Sequence, residues 1–148
     1  MTGKADFTPE EWHTILEAPM SAGMAVVTAE HGGSFRESFA MAKAYAEARK
    51  QHGESPLLDE IVAAKPERDK THYHSHEEIK AAAVKHLQDA VAALAQKAAP
   101  EEVDAYRRFV NSLAERVAHA HREHGQEVGP AEQQALDDIN AALGSSSA

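Results

Sequence analysis

The chain has 148 residues, of which 43% are hydrophobic, 26% are charged and none is cysteine. Its formal net charge of −9 argues against nucleic acid as a partner, because phosphate binding needs clustered Lys and Arg side chains. The lack of cysteine excludes disulfides, thiolate nucleophiles and the common structural zinc sites, so any metal would be bound by His, Asp or Glu.

The sequence also predicts a location and a number of domains. It contains no apolar run of about 18 residues, the length that indicates a membrane span, so no membrane is expected as a partner. The N-terminal sequence MTGKADFTPEEW lacks the apolar segment of a secretory signal, and we therefore expect a cytoplasmic protein. The length favours one domain over residues 1–148, with flexible tails at about 1–7 and 145–148.

Local composition favours helix throughout, because alanine is abundant while β-branched and aromatic residues are scarce. Proline suits a first helical turn, where its missing N–H is not needed, and four prolines stand at such positions: Pro9, Pro56, Pro100 and Pro130. Thr8 with Glu11, and Ser75 with Glu78, have the spacing of a capping box. These residues predict where the helices begin.

In chain order, the predicted helices cover residues 9–30, 34–52, 56–64, 75–98, 100–125 and 130–143. Four of them have about 20 residues and would each span about 30 Å, the dimension of a compact bundle. Short loops between amphipathic helices favour antiparallel neighbours. We therefore predict an all-α fold, an antiparallel helical bundle of four long helices plus one or two short ones.

Apolar residues that recur at helical spacing predict which face of each helix is buried. Pro19 lies inside the first predicted helix and indicates a kink, and Gly23 indicates close approach of a neighbouring helix. The predicted faces are Trp12, Ile15, Leu16, Pro19, Gly23, Val26 and Val27 in the first helix, Phe35, Phe39, Ala42 and Ala46 in the second, Ile79, Ala83, Leu87, Ala90, Val91 and Leu94 in the fourth, Val103, Tyr106, Val110, Leu113 and Val117 in the fifth, and Leu136, Ile139 and Leu143 in the last.

Large apolar side chains are few, so the predicted core is thin. Much of the burial free energy is expected from Trp12, Phe35, Phe39, Tyr106 and Phe109, at about 1.5–3 kcal/mol for each fully buried large side chain. A thin core favours a homo-oligomer, because some helix faces would then be covered only by a second copy of the chain.

Three histidines alternate along the segment DKTHYHSHEEIK, at His72, His74 and His76. Imidazoles at this spacing, together with Glu77 or Glu78, can converge on Zn²⁺, Ni²⁺ or Cu²⁺. The same residues fit a solvated polar loop, or a pH-responsive helix start at which protonated His76 opposes the helix dipole. The spacing is not the HExxH of a catalytic zinc helix, and all three interpretations stay open.

A second histidine cluster lies near the end of the fifth predicted helix, in HAHREH. His121 and His124 continue the apolar face of that helix, and in a last turn imidazoles cap free carbonyls and interact favourably with the helix dipole. They are also candidate metal ligands, with Glu123 or Glu127 as a further group. If the fourth and fifth helices are antiparallel, both histidine clusters share one end of the bundle.

Two polar residues adjoin the predicted apolar faces. We expect His86 to lie at the edge of the fourth helix face as a boundary residue rather than a metal ligand. We expect Glu17 to lie in solvent rather than in the interior as a carboxylate ligand. The sequence shows no local signature of Ser-His-Asp chemistry, so it names no nucleophile.

Three functions fit this sequence. The favoured one is a non-catalytic helical interaction or scaffold module that requires no cofactor and binds a protein partner or a second copy of itself. The alternative is a histidine-rich bundle that buffers, senses or carries Zn²⁺, Ni²⁺ or Cu²⁺ through His72, His74, His76, His121 and His124. An enzyme is the weakest hypothesis, because no acid–base pair or cofactor motif can be named.

Overall fold

The computed structural model describes residues 3–27, 35–51, 55–64, 75–122 and 130–144, and these residues form helices without a strand. A short 3₁₀ helix, Lys4–Asp6, precedes α1 (Pro9–Val27), α2 (Phe35–Lys50), α3 (Pro56–Ala63), α4 (His76–Lys97), α5 (Pro100–Arg122) and α6 (Pro130–Leu143). The predicted all-α bundle is therefore confirmed. The predicted ends at residues 28–30, 52 and 123–125 lie outside the described residues.

Local chemistry fixes the starts of several helices. At α1 the Thr8 backbone N–H donates to Glu11 Oε1 at 2.9 Å, and the Glu11 N–H donates to Thr8 Oγ1 at 3.1 Å, which completes the predicted capping box. At α4 the Glu78 N–H donates to Ser75 Oγ at 3.2 Å, so Ser75 caps that helix. The four prolines named above are the first residues of α1, α3, α5 and α6, as predicted.

Helix α1 lies at the centre of the packing. It packs most extensively on α4 and also contacts α5, α6 and α2, while α2 packs mainly on α5 and α4 packs on α6. The predicted faces of α4, α5 and α6 turn inward, and their fully buried members include Leu87, Leu94, Tyr106, Leu113 and Ile139. One apolar cluster joins all six helices.

Pro19 lies inside α1, and the helix continues through it. Proline has no N–H, so the Ile15 carbonyl, four residues earlier, lacks its usual helical donor. The hydroxyl of Tyr106 on α5 donates to that carbonyl oxygen at 2.9 Å, and Tyr106 is completely buried. A tertiary hydrogen bond thus replaces the missing helical one and also satisfies the buried phenol.

Gly23 is the point of close approach between α1 and α2, as the sequence predicts. A Cβ built on Gly23 would overlap the Sδ atom of Met41 on α2 and would lie 3.1 Å from Leu113 Cδ2 on α5. A larger residue at position 23 would therefore require the Met41 side chain to move.

The predicted face of α2 is wrong at Ala42 and Ala46, which are exposed. The buried face is formed by Met41, Ala44 and Tyr45, and the ring of Tyr45 packs edge-on against Phe109 of α5, with centroids 5.1 Å apart. Methionine and tyrosine bury more apolar surface than alanine, so this face is turned toward α5. The side chains of Phe35 and Phe39 lie outside the described residues.

Across the described ranges, the helices lack the combined length and apolarity that a membrane crossing requires.

Candidate functional site

Most of the predicted metal-binding residues lie outside the described part of the chain. This applies to His72, His74 and His124, and to the side chain of His121, whose backbone belongs to the last turn of α5. His76 is the first residue of α4 and is partly buried. Among the residues that the structure describes, no three His, Asp or Glu side chains are positioned to hold a metal ion. The metal hypothesis for these histidines therefore stays a prediction.

A different polar cluster lies between α1 and α4. His13, Glu17 and Ser21 are four residues apart and form a row along one side of α1. The Nε2 atom of His13 lies 3.2 Å from Glu17 Oε2, within hydrogen-bonding distance. His86 approaches this row from α4. Its Nε2 atom lies 3.3 Å from Glu17 Oε1, and its Nδ1 atom lies 3.0 Å from Ser21 Oγ. One carboxylate thus contacts two imidazoles, and one of these also contacts a serine hydroxyl.

Glu17 is buried, so the expectation that it lies in solvent is wrong. Its side chain is 10% exposed, compared with 20% for His86 and 50% for His13. Helix α4 covers it, and the two imidazoles offer partners to both carboxylate oxygens, which offsets the desolvation of the charge. His86 lies at the edge of the α4 face, as expected, although its contact with Glu17 was not foreseen.

The surroundings of His86 indicate where its ring proton lies. A carboxylate oxygen faces Nε2, which favours a proton on that nitrogen. A neutral ring then has an unprotonated Nδ1, which accepts a hydrogen bond from the Ser21 hydroxyl. Serine, imidazole and carboxylate are consequently arranged as a nucleophile, a base and a group that orients the base.

A second feature is a cleft between α2, α3 and α5, which we call the α2–α5 cleft. It encloses about 290 Å³ and is lined by Ala44, Glu47, Ala48, Gln51, Leu58, Asp59, Ala105, Arg108, Phe109, Ser112 and Arg116. Its alanine, leucine and phenylalanine side chains are buried or half-buried, and we call them the floor of the cleft. Its charged, amide and hydroxyl side chains are half-buried or exposed, and we call them the rim. On the rim, the Arg116 guanidinium is paired with the Glu47 carboxylate.

A shallower groove of about 560 Å³ runs between α5 and α6. Its walls include Ser112, Arg116 and the exposed His119 on α5, together with Gln133 and Leu136 on α6. Ser112 and Arg116 therefore border both the groove and the α2–α5 cleft.

The sequence contained part of the signal for the α1–α4 cluster. The spacing of His13, Glu17 and Ser21 places them in one row, which sequence reasoning could have recognised. The fourth member, His86, is 65 residues from Ser21, and its position depends on how α4 docks against α1. The cleft was not predictable either, because its two longest walls come from helices separated by α3 and α4.

Comparison of the chain with protein-family models, with curated proteins and with solved structures gave no match.

Proposed function

We propose that the protein is a non-catalytic helical interaction module that associates with a second copy of itself through the α2–α5 cleft. The observation that carries this proposal is the lining of the cleft, in which the apolar side chains are more buried than the charged ones. Protein interfaces share this arrangement of an apolar centre and a polar periphery.

The charges of the rim favour a second copy as the partner. The whole chain carries a formal charge of −9, so two copies repel each other over most of their surfaces. The rim contains two positive side chains, Arg108 and Arg116, and two negative ones, Glu47 and Asp59. Its net charge is therefore zero. Contact at the cleft therefore brings together two surfaces whose charged side chains balance.

A rim with both signs of charge is also self-complementary. In a two-fold dimer the same surface of each copy meets its equivalent, so arginines on one copy must face carboxylates on the other. The α2–α5 cleft offers both groups, with the arginines on α5 and the carboxylates on α2 and α3.

The cleft is small for a ligand pocket. At about 290 Å³ it lies near the lower end of ligand pockets, which span about 300–1,000 Å³. In a two-fold contact the apposed rims would shield the Leu58 and Phe109 side chains from water while the charged side chains pair.

The packing faces of α4 and α5 do not by themselves require a partner. Their predicted members Leu87, Leu94, Val110 and Leu113 are fully buried within the single chain. The support for self-association therefore comes from the cleft rather than from uncovered helix faces.

Sedimentation equilibrium over a wide range of protein concentration tests the proposal. We expect the average mass to rise from that of one chain to that of two. The mass of a single chain at every concentration would contradict the proposal.

A further inference from the structure

We propose that Ser21 is a nucleophile for activated acyl and phosphoryl electrophiles, with His86 as its general base and Glu17 as a positioning residue. The site lies between α1 and α4, whereas the α2–α5 cleft is formed by other helices, so this inference is independent of the proposed self-association.

The geometry fits the first requirement of nucleophilic catalysis, a hydroxyl within reach of a base. Ser21 Oγ lies 3.0 Å from His86 Nδ1, inside the range over which a proton is transferred directly. Both side chains are partly exposed.

The second requirement is a group that holds the base in place. Glu17 Oε1 lies 3.3 Å from the opposite nitrogen of His86, and His13 holds the other oxygen of the same carboxylate at 3.2 Å. The carboxylate favours the ring proton on Nε2 and stabilises the imidazolium that forms when His86 accepts a second proton. Because Glu17 is largely buried, this electrostatic effect is weakly screened.

The position of Ser21 limits what the site can do. The backbone N–H groups around it belong to α1 and are bonded to helical carbonyls, so its own helix offers no donor to a developing oxyanion. We therefore expect one covalent event per chain rather than rapid turnover.

A phosphoryl fluoride is the simplest electrophile for this serine. Ser21 Oγ forms a bond to phosphorus, the phosphorus–fluorine bond breaks, and fluoride leaves. The hydroxyl proton passes to His86 Nδ1 and then to water. No oxidant, reductant or metal takes part.

The test is labelling of the full chain with diisopropyl fluorophosphate, followed by peptide mass spectrometry. The exposed Ser112 on α5 serves as an internal reference in the same sample, at a protein dilution where sedimentation gives the mass of one chain. A positioned general base contributes about 10²–10⁴-fold, so we expect Ser21 to react at least about 10²-fold faster than Ser112. Equal labelling of the two serines would overturn the proposal.

Substitutions distinguish a loss of Ser21 reactivity from a loss of folding. Ser21→Ala should abolish the label, and His86→Ala should slow labelling by about 10²-fold and regain it when free imidazole is added. Glu17→Gln should slow Ser21 relative to Ser112 within the folded protein, which a purely structural role would not do. The matched control His119→Gln, an exposed imidazole on α5, should label like the unmodified chain. Undiminished labelling in His86→Ala would contradict the assigned role of the base.

Discussion

Two residues far apart in sequence, Pro19 and Tyr106, act on one carbonyl oxygen. Pro19 has no N–H to donate to the Ile15 carbonyl. The buried Tyr106 hydroxyl donates to that carbonyl oxygen instead, at 2.9 Å. The proline alone could be recognised in the sequence as a disturbance of α1. The compensating hydroxyl comes from α5, 91 residues away from Ile15, and depends on tertiary packing.

This pair gives a prediction for a double-mutant cycle. Tyr106→Phe should lower the free energy of unfolding by about 1–3 kcal/mol, because it leaves a buried carbonyl without a partner. In a Pro19→Ala background the loss should be smaller, since an alanine at this position restores the helical N–H. Urea denaturation of the unmodified chain, the two single variants and the double variant measures the coupling energy between positions 19 and 106. An equal loss in both backgrounds would show that the Tyr106 hydroxyl does not substitute for the N–H that Pro19 lacks.

The prediction that Glu17 lies in solvent was wrong for a related reason. A glutamate in an amphipathic helix is usually solvated, and the sequence neighbours of Glu17 gave no reason to bury it. His86 approaches from α4, and its contact with Glu17 arises only once α1 and α4 pack together. Long-range polar contacts of this kind leave no periodic signal in one sequence.

At the level of elements, the starts of the helices were the most predictable features. Proline at the first turn and the capping residues Thr8 and Ser75 act through bonds within three residues, so the sequence contains all the relevant information. The face of α2 was not predictable from spacing alone. Both of its sides carry apolar residues, and packing of Tyr45 against Phe109 decides which side is buried.

The cap of α1 also joins two elements, which gives a pH-dependent prediction. Lys97 Nζ at the end of α4 donates to Glu11 Oε1 at 2.6 Å, and this bond, together with that from the Thr8 N–H, lowers the pKa of Glu11 below its ordinary value of 4.5. A carboxyl whose pKa is lower in the folded state stabilises the fold above its unfolded pKa and loses that contribution as the pH falls through the folded pKa.

Glu11→Gln should therefore be less stable than the unmodified chain at neutral pH, and the difference should shrink as the pH falls below 4.5. Urea denaturation of both proteins over this range of pH measures the effect. Glu101→Gln, which changes an exposed carboxylate in the first turn of α5, is the matched control. A difference between the Glu11 variant and the unmodified chain that stays constant with pH would contradict the assignment.

The segment before α4 carries the metal hypothesis, which predicts stoichiometric binding of Zn²⁺, Ni²⁺ or Cu²⁺ to untagged protein. Replacing His72, His74 and His76 together with alanine should abolish that binding in calorimetric titrations, because imidazoles are the proposed ligands. His13→Ala, which removes an exposed imidazole of α1 that belongs to neither histidine cluster, should not change it. Failure of the unmodified chain to bind any of the three metals at micromolar concentration would remove this alternative.

For the whole molecule, composition predicted the fold class, because an alanine-rich chain with few β-branched residues favours helix at nearly every position. It could not predict surface features. The α2–α5 cleft is lined by residues of α2, α3 and α5, so it forms only when these helices pack together. The balance of charge among Arg108, Arg116, Glu47 and Asp59 likewise arises only in the folded chain.

We propose above that this cleft joins two copies of the chain. Blocking the cleft tests that proposal most directly. Ser112→Arg places a bulky charge in the cleft from an exposed position, while Ala81→Arg adds the same side chain to an exposed position on α4. Sedimentation equilibrium should give the mass of one chain for Ser112→Arg, and of two for Ala81→Arg and the unmodified protein at high concentration. A dimer that persists unchanged in Ser112→Arg would contradict the account.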